Sequence, residues 1–127
     1  MPETGLGVAL RTLRERRTLS VRELGKLTDV DHAYIYRLES GEKSNPSADM
    51  LSRLLKVLKA EEREVAIVRW LGDHDANPEL VSFVLDDPSI DIDLFTMAAG
   101  ARHRGDGRPA VEQLIARCRR ALADDED

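Results

Sequence analysis

Apolar residues recur at helical spacing almost from the first positions of the chain. Leu6, Ala9, Leu10 and Leu13 stand at i, i+3, i+4 and i+7, which predicts a helix over residues 5–17 that ends in the basic run Arg14-Glu15-Arg16-Arg17, read as a solvated helix end. Ser20 followed by Glu23 has capping-box spacing, and Leu24 and Leu27 supply the inward side of a second, shorter helix. Asp31 is placed to cap a third helix that turns Ile35 and Leu38 inward and stops at Ser40-Gly41, where glycine suits a left-handed end. Ser47 caps a fourth, with Leu51, Leu54, Leu55 and Leu58 in one stripe. A fifth runs over 61–71, and its Val65, Ile67, Val68, Trp70 and Leu71 cover more than one face, so it needs two neighbours.

The back of the chain repeats the pattern in shorter pieces. Residues 73–77 read as a linker, after which Asn77 and Pro78 open a helix holding Leu80, Val81, Val84 and Leu85. Asp87-Pro88 breaks it, and Ile90, Leu94, Met97 and Ala98 form another stripe ending at Gly100. A loop from Arg102 to Arg108 carries Gly105 and Gly107, and Pro109 opens a last helix with Val111, Leu114, Ile115, Cys118 and Leu122 on one side. Three short amphipathic helices bury little alone, so they must pack on the fifth helix, on a second subunit, or on both. No alternating strand pattern and no internal repeat is present. The expected architecture is all-α: a five-helix domain over 1–72, a linker at 73–77, a helical region over 78–123 and an acidic disordered tail at 124–127.

Composition narrows the functions this architecture can carry. At 127 residues the chain is the size of one ordinary domain, too short for a barrel enzyme or a two-domain dinucleotide enzyme. It has no run of eighteen apolar residues, and Met1-Pro2-Glu3-Thr4-Gly5 lacks the pattern of an export signal, so the expectation is a cytoplasmic chain without a membrane partner. A single cysteine, Cys118, excludes an intrachain disulfide and is expected to serve as a small apolar residue; a redox switch would need a lowered pKa, for which Arg117, Arg119 and Arg120 are its nearest support. His32, His74 and His103 have no ligand spacing, which argues against a metal site. Neither a phosphate-cradling glycine loop nor a nucleophile with an orienting base is evident, so the chain reads as a non-enzyme without a cofactor.

Charge is unevenly spread. The net −5 hides 11 Lys/Arg against 8 Asp/Glu in residues 1–60, and 6 against 13 in residues 73–127. A front part with a balance of +3 can approach phosphate; a back part at −7 is repelled by it.

The second and third helices are separated by Thr28-Asp29-Val30, only enough backbone for the sharp turn of a helix-turn-helix. Gly25 permits close approach of the two helices, Val30 is the apolar residue that tucks between them, and Asp29 stands where the turn needs a left-handed residue. Over roughly residues 6–71 the chain resembles the Xre, or Cro/cI-type, regulators of the lambda-repressor-like fold. The resemblance rests on Leu19-Ser20-Val21-Arg22-Glu23-Leu24-Gly25, on Tyr34-Ile35-Tyr36-Arg37-Leu38-Glu39-Ser40-Gly41 and on Asn45-Pro46-Ser47. It implies a transcriptional repressor that binds double-stranded operator DNA as a homodimer, and a structural pair between Arg14 and Glu39. Val21 stands where many members have a glutamine that grips phosphate, and Asp29 replaces the usual turn glycine. The self-cleavage of some phage-type repressors needs a serine–lysine pair in the C-terminal part, and no lysine follows Lys59.

If the third helix enters the major groove, its outward residues His32, Ala33, Tyr36 and Arg37 are the candidate base readers. Arg37 can present two parallel donors to guanine, Ala33 can meet a thymine methyl, and His32 can donate or accept. Ser20, Arg22, Lys43, Ser44 and Asn45 are placed to hold phosphate. The plainer alternatives are a solvated Arg37 and a half-buried packing role for Tyr36, with Tyr34 in the core. Leu114, Ile115, Cys118 and Leu122 form the expected dimerisation stripe. The segment Leu85-Asp86-Asp87-Pro88 and the ending Arg119-Arg120-Ala121-Leu122 also resemble the short repressors of the DdrO and ImmR kind. That resemblance implies relief of repression by a separate metallopeptidase that cuts the C-terminal part, against the simpler alternative of a dimerising tail; the stretch from Leu94 to Arg108, a short helix ending at Gly100 and a loop with Gly105 and Gly107, is where backbone can be drawn out cheaply for such a cut. An antirepressor as the inducing partner, an antitoxin paired with a toxin, a transcription activator, and an adapter that has lost DNA binding are the competing readings.

Overall fold

A computed structural model describes residues 3–101 and 107–126, with side chains to residue 124. Most of its helices begin on an oxygen that accepts from an amide of the first turn. Thr4 opens α1 (Gly5–Arg16), Ser20 opens α2 (Val21–Thr28), Asp31 opens α3 (His32–Ser40) and Ser47 opens α4 (Ala48–Leu58). In α5 (Glu62–Asp73) the Glu64 carboxylate reaches back to the Glu61 amide at 2.9 Å. Asn77 and Asp91 open α6 (Pro78–Asp86) and α7 (Ile92–Gly100), with Pro78 in the first turn, where its missing N–H costs nothing. Each side-chain cap contributes on the order of 1 kcal/mol. The chain ends in α8 (Arg108–Glu126). The described residues are therefore all helical, with no strand among them.

One apolar cluster runs through all eight elements. α1 packs on α3, α5 and α6; α2 packs on α3 and α4; α4 packs on α5. The two-sided α5 has its neighbours, because α1, α4 and α7 all pack against it. Close approach is built into the sequence at two glycines. A methyl group at Gly25 would meet the Val30 carbonyl at 2.7 Å, and one at Gly7 would strike the Glu39 carbonyl, so α2–α3 and α1–α3 pack nearer than alanine allows.

Several expectations change in the tertiary structure. Leu27 does not face inward: it is 61% exposed, and Thr28 takes the buried place, one turn after Leu24. Its hydroxyl donates to the Leu24 carbonyl at 2.7 Å, which removes the cost of burying it. Arg16 and Arg17 are not a merely solvated helix end. Arg16 donates to Glu64 at 2.9 Å and to the Leu85 carbonyl at 2.7 Å, while Arg17 donates to the carbonyls of Leu58 and Lys59 at 2.8 and 3.0 Å. These guanidinium groups satisfy carbonyls that the ends of α4 and α6 leave without helical partners.

The segment read as a linker is tied down as well. The Asp75 carboxylate accepts from the amides of Gly5 and Ala76 at 3.3 and 2.9 Å, and Ala76 is buried. The stretch read as an acidic tail continues α8 as far as Glu126; alanine and leucine at 121–123 carry the helix into it. Most consequentially, Leu114, Ile115 and Cys118 of the expected dimerisation stripe are buried against their own chain, where α8 packs on α6 and α7, and Leu122 lies half-buried at its end. Periodicity identified an apolar face correctly but not its occupant. The loop around His103 and Gly105, residues 102–106 of the segment in which cleavage was expected, lies outside the described residues, while the rest of that segment belongs to α7 and to the start of α8.

Candidate nucleic-acid interface

The turn between α2 and α3 is fixed by three local devices. Ser20 and Glu23 form a reciprocal capping box, the Ser20 amide donating to Glu23 Oε1 and the Glu23 amide to Ser20 Oγ, both at 3.0 Å. Asp29 sits at φ 57° and ψ 42°, the left-handed conformation that an aspartate tolerates better than most side chains. Asp31 then accepts from the Ala33 amide at 2.9 Å and starts α3. Val30, 8% exposed, fills the space between the helices.

A second constraint holds the far end of α3. Arg14 grips Glu39 with two parallel hydrogen bonds, Nε to Oε2 at 2.7 Å and Nη2 to Oε1 at 2.8 Å, and its Nη1 donates to the Leu19 carbonyl at 2.8 Å. The Glu39 carboxylate raises the Arg14 pKa further above its ordinary value, against the opposing effect of burial. The pair ties α1 simultaneously to α3 and to the chain entering α2, so the two helices hold a fixed angle to the core.

With α3 held in this way, its outward face is set. Ser20, Val21, Arg22, His32, Ala33, Tyr36, Arg37 and Glu42 line one open concavity. The structure therefore brings together the four candidate base readers and two of the candidate phosphate holders. Tyr36 is 62% exposed, and no packing role accounts for it. Tyr34, by contrast, is partly buried against the core. In α2, two of the first amides are consumed by the capping box and its first helical bond, leaving those of Val21 and Arg22 for an oxyanion. Glu23 stays ionised at this end, its pKa lowered chiefly by the hydrogen bond from the Ser20 amide.

The remaining phosphate candidates divide. Lys43 is exposed next to this surface, and its amide donates to the Arg37 carbonyl at 3.0 Å. Ser44 and Asn45 are not part of the concavity; they line a separate depression with Thr4, Leu6, Leu71, Asp73, His74 and Asp75. Two carboxylates beside them make that depression a poor seat for phosphate. Glu42 is the residue that sequence reasoning missed. A charged residue directly after a helix-ending glycine was the available sign, since the left-handed Gly41, at φ 85°, turns the chain back over α3.

Among the described residues no group of His, Cys, Asp and Glu is placed to hold a metal ion, and no helix is long and apolar enough to cross a membrane. Burial pushes the Cys118 thiol up, which opposes thiolate formation despite Arg117. No curated protein matches the sequence. Residues 6–67, from α1 into α5, match the family model described as a helix-turn-helix domain, and this match joins the geometry of α2, the turn and α3 in assigning the front of the chain a helix-turn-helix domain, a module of DNA binding and transcription regulation.

Proposed function

We propose that the chain is a sequence-specific transcriptional repressor of the Xre kind that binds a palindromic operator as a homodimer, without catalytic activity of its own. The observation that carries this reading is the outward face of α3: an unpacked Tyr36 and a half-exposed Arg37 beside Ala33 and His32, on a helix anchored from behind by Arg14 and Glu39. A buried anchor with an exposed polar and aromatic front is what insertion into a major groove requires. One such helix spans only a few base pairs, and pairing two copies would supply the remaining readout. Because Leu114, Ile115 and Cys118 are already covered within the chain, pairing would draw on another surface.

Relief of repression by proteolysis between α7 and α8 fits the same architecture. Loss of α8 would strip α6 and α7 of the apolar partner they share, so a metallopeptidase would act by unfolding the back of the chain rather than by unzipping a dimer. An antitoxin would bring a toxin instead, and an adapter would bind no DNA.

Binding to a pool of randomised duplexes, followed by titration of the enriched sequence at several salt concentrations, tests the reading. Arg37→Ala is expected to cost about 1–3 kcal/mol and to relax preference at one base pair, while Lys43→Ala reduces the salt slope by about one without changing preference. Equal preference in wild type and Arg37→Ala overturns the assignment of α3 as the reader.

A further inference from the structure

The concavity that Arg37 shares with Arg22 also holds a carboxylate, that of Glu42. Glu42 Oε2 stands 4.0 Å from Arg37 Nε, with the two side chains 49% and 48% exposed. Their relation is imposed by the backbone. Gly41 turns left-handed at the end of α3, and the next amide but one, that of Lys43, donates to the carbonyl of Arg37 itself at 3.0 Å. The loop is thus fastened to the very residue whose side chain Glu42 faces. A negative charge on a surface that must approach phosphate weakens binding to every duplex alike, so its presence there calls for a compensating role.

We infer that Glu42 is a positioning residue for base readout, holding the Nε edge of Arg37 so that the two terminal nitrogens point outward to a guanine. An unrestrained arginine has several donors in a fork and reaches phosphate oxygens as readily as base edges. At 4.0 Å the contact is an ion pair rather than a hydrogen bond, and drawing the carboxylate onto Nε as the guanidinium enters the groove leaves the end-on pair, Nη1 and Nη2, which matches the O6 and N7 acceptors of guanine. The carboxylate also repels a phosphate that would otherwise capture the same guanidinium. Glu42 therefore exchanges general affinity for discrimination. This inference rests on the DNA-binding reading and deepens it.

The test compares wild type, Glu42→Gln, Arg37→Ala and the double variant on two probes. One is the duplex enriched by the wild-type protein from the randomised pool; the other is that duplex with the guanine whose recognition depends on Arg37 replaced by adenine. Glu42 is exposed and takes no part in the core, so the variants should keep the wild-type thermal midpoint. The expected result is that Glu42→Gln binds the replaced duplex more tightly and lowers the ratio of the two affinities by about two- to fivefold, the range an exposed ion pair supports. In the Arg37→Ala background the same substitution should leave the ratio unchanged. An unchanged ratio in Glu42→Gln overturns the inference while leaving DNA binding intact, and so does an equal loss with and without Arg37. A wild-type protein that enriches no duplex overturns both the DNA-binding reading and this inference.

Discussion

Two consecutive helix pairs in this molecule have nearly the same length and nearly the same punctuation, yet they meet opposite fates. α2 and α3 have 8 and 9 residues and are joined through Asp29 and Asp31; α6 and α7 have 9 each and are joined through Asp87 and Asp91. In both joints an aspartate caps the second helix, and in the second joint Asp87 also accepts from the amide and hydroxyl of Ser89, which lowers its pKa. The difference lies in what the helices pack against. α2 and α3 pack on each other and leave the outer side of α3 open, whereas α6 lies on α1, α7 lies on α5, and α8 covers both. Phe95 of α7 is completely buried, with its ring edge-on to Trp70 at 5.3 Å, while Tyr36 of α3, four residues from its start, lies open to solvent. A surface for a macromolecular partner arises where packing stops, not where the helix itself is unusual.

The sharpest way to break this contrast is Leu114→Asp. The side chain is 1% exposed, so the substitution places a charge in the intrachain core of the back pair and should cost several kcal/mol. The loss should register as a lower urea midpoint at any protein concentration. A variant that keeps its midpoint and merely dissociates from dimer to monomer would return the residue to an interface between subunits.

Glu39→Ala strikes the front pair in turn. Glu39 and Arg14 have side chains 6% and 13% exposed, and removing the carboxylate strands a buried guanidinium, at about 3–5 kcal/mol. Both variants should unfold in a single transition, because one apolar cluster joins the two halves and Arg16 bridges α1 to α5 and α6. Two resolved transitions, one per variant, would show that the pairs are separate units.

The smallest expected effect concerns the capping box. Ser20→Ala should cost about 1 kcal/mol. The box also carries a pH dependence of defined sign: Glu23 has a lowered folded-state pKa, so its contribution is present above the usual glutamate range and is lost as pH falls through the folded value. Urea midpoints at pH 7 and on the acid side of that range should differ less in Ser20→Ala than in wild type, since the share of the lowering owed to the Ser20 side chain is lost while the residue's amide still donates to Glu23.

Legibility followed the same division. The capping residues Ser20, Asp31, Ser47 and Asn77, the left-handed Asp29 and the stop at Gly41 are local, and each could be read from neighbours within four positions. The outward face of α3 followed from Ile35 and Leu38 being inward, and the structure places the proposed base readers His32, Ala33, Tyr36 and Arg37 together. Leu27 misled because an isolated leucine carries the apolar sign without the packing, and Thr28 could be buried by a hydrogen bond that periodicity does not register. Ser44 and Asn45 were assigned by their position after α3, yet Asp73 and Asp75, some thirty residues later, share their depression.

By itself the sequence determined that the described chain is helical, where most of its helices begin and stop, and which side of each is apolar, because those features depend on spacing and on hydrogen bonds closed within a turn or two. Only the tertiary structure decided what covers each apolar side and where each long cation ends. Leu114, Ile115 and Cys118 met α6 and α7 of their own chain, and Arg16 and Arg17 reached carbonyls some forty to seventy residues away. The physical reason is that burial rewards any apolar partner of the right shape, so a stripe states a need for cover without naming the cover, and a guanidinium finds whichever unpaired oxygen the packed helices leave within its reach.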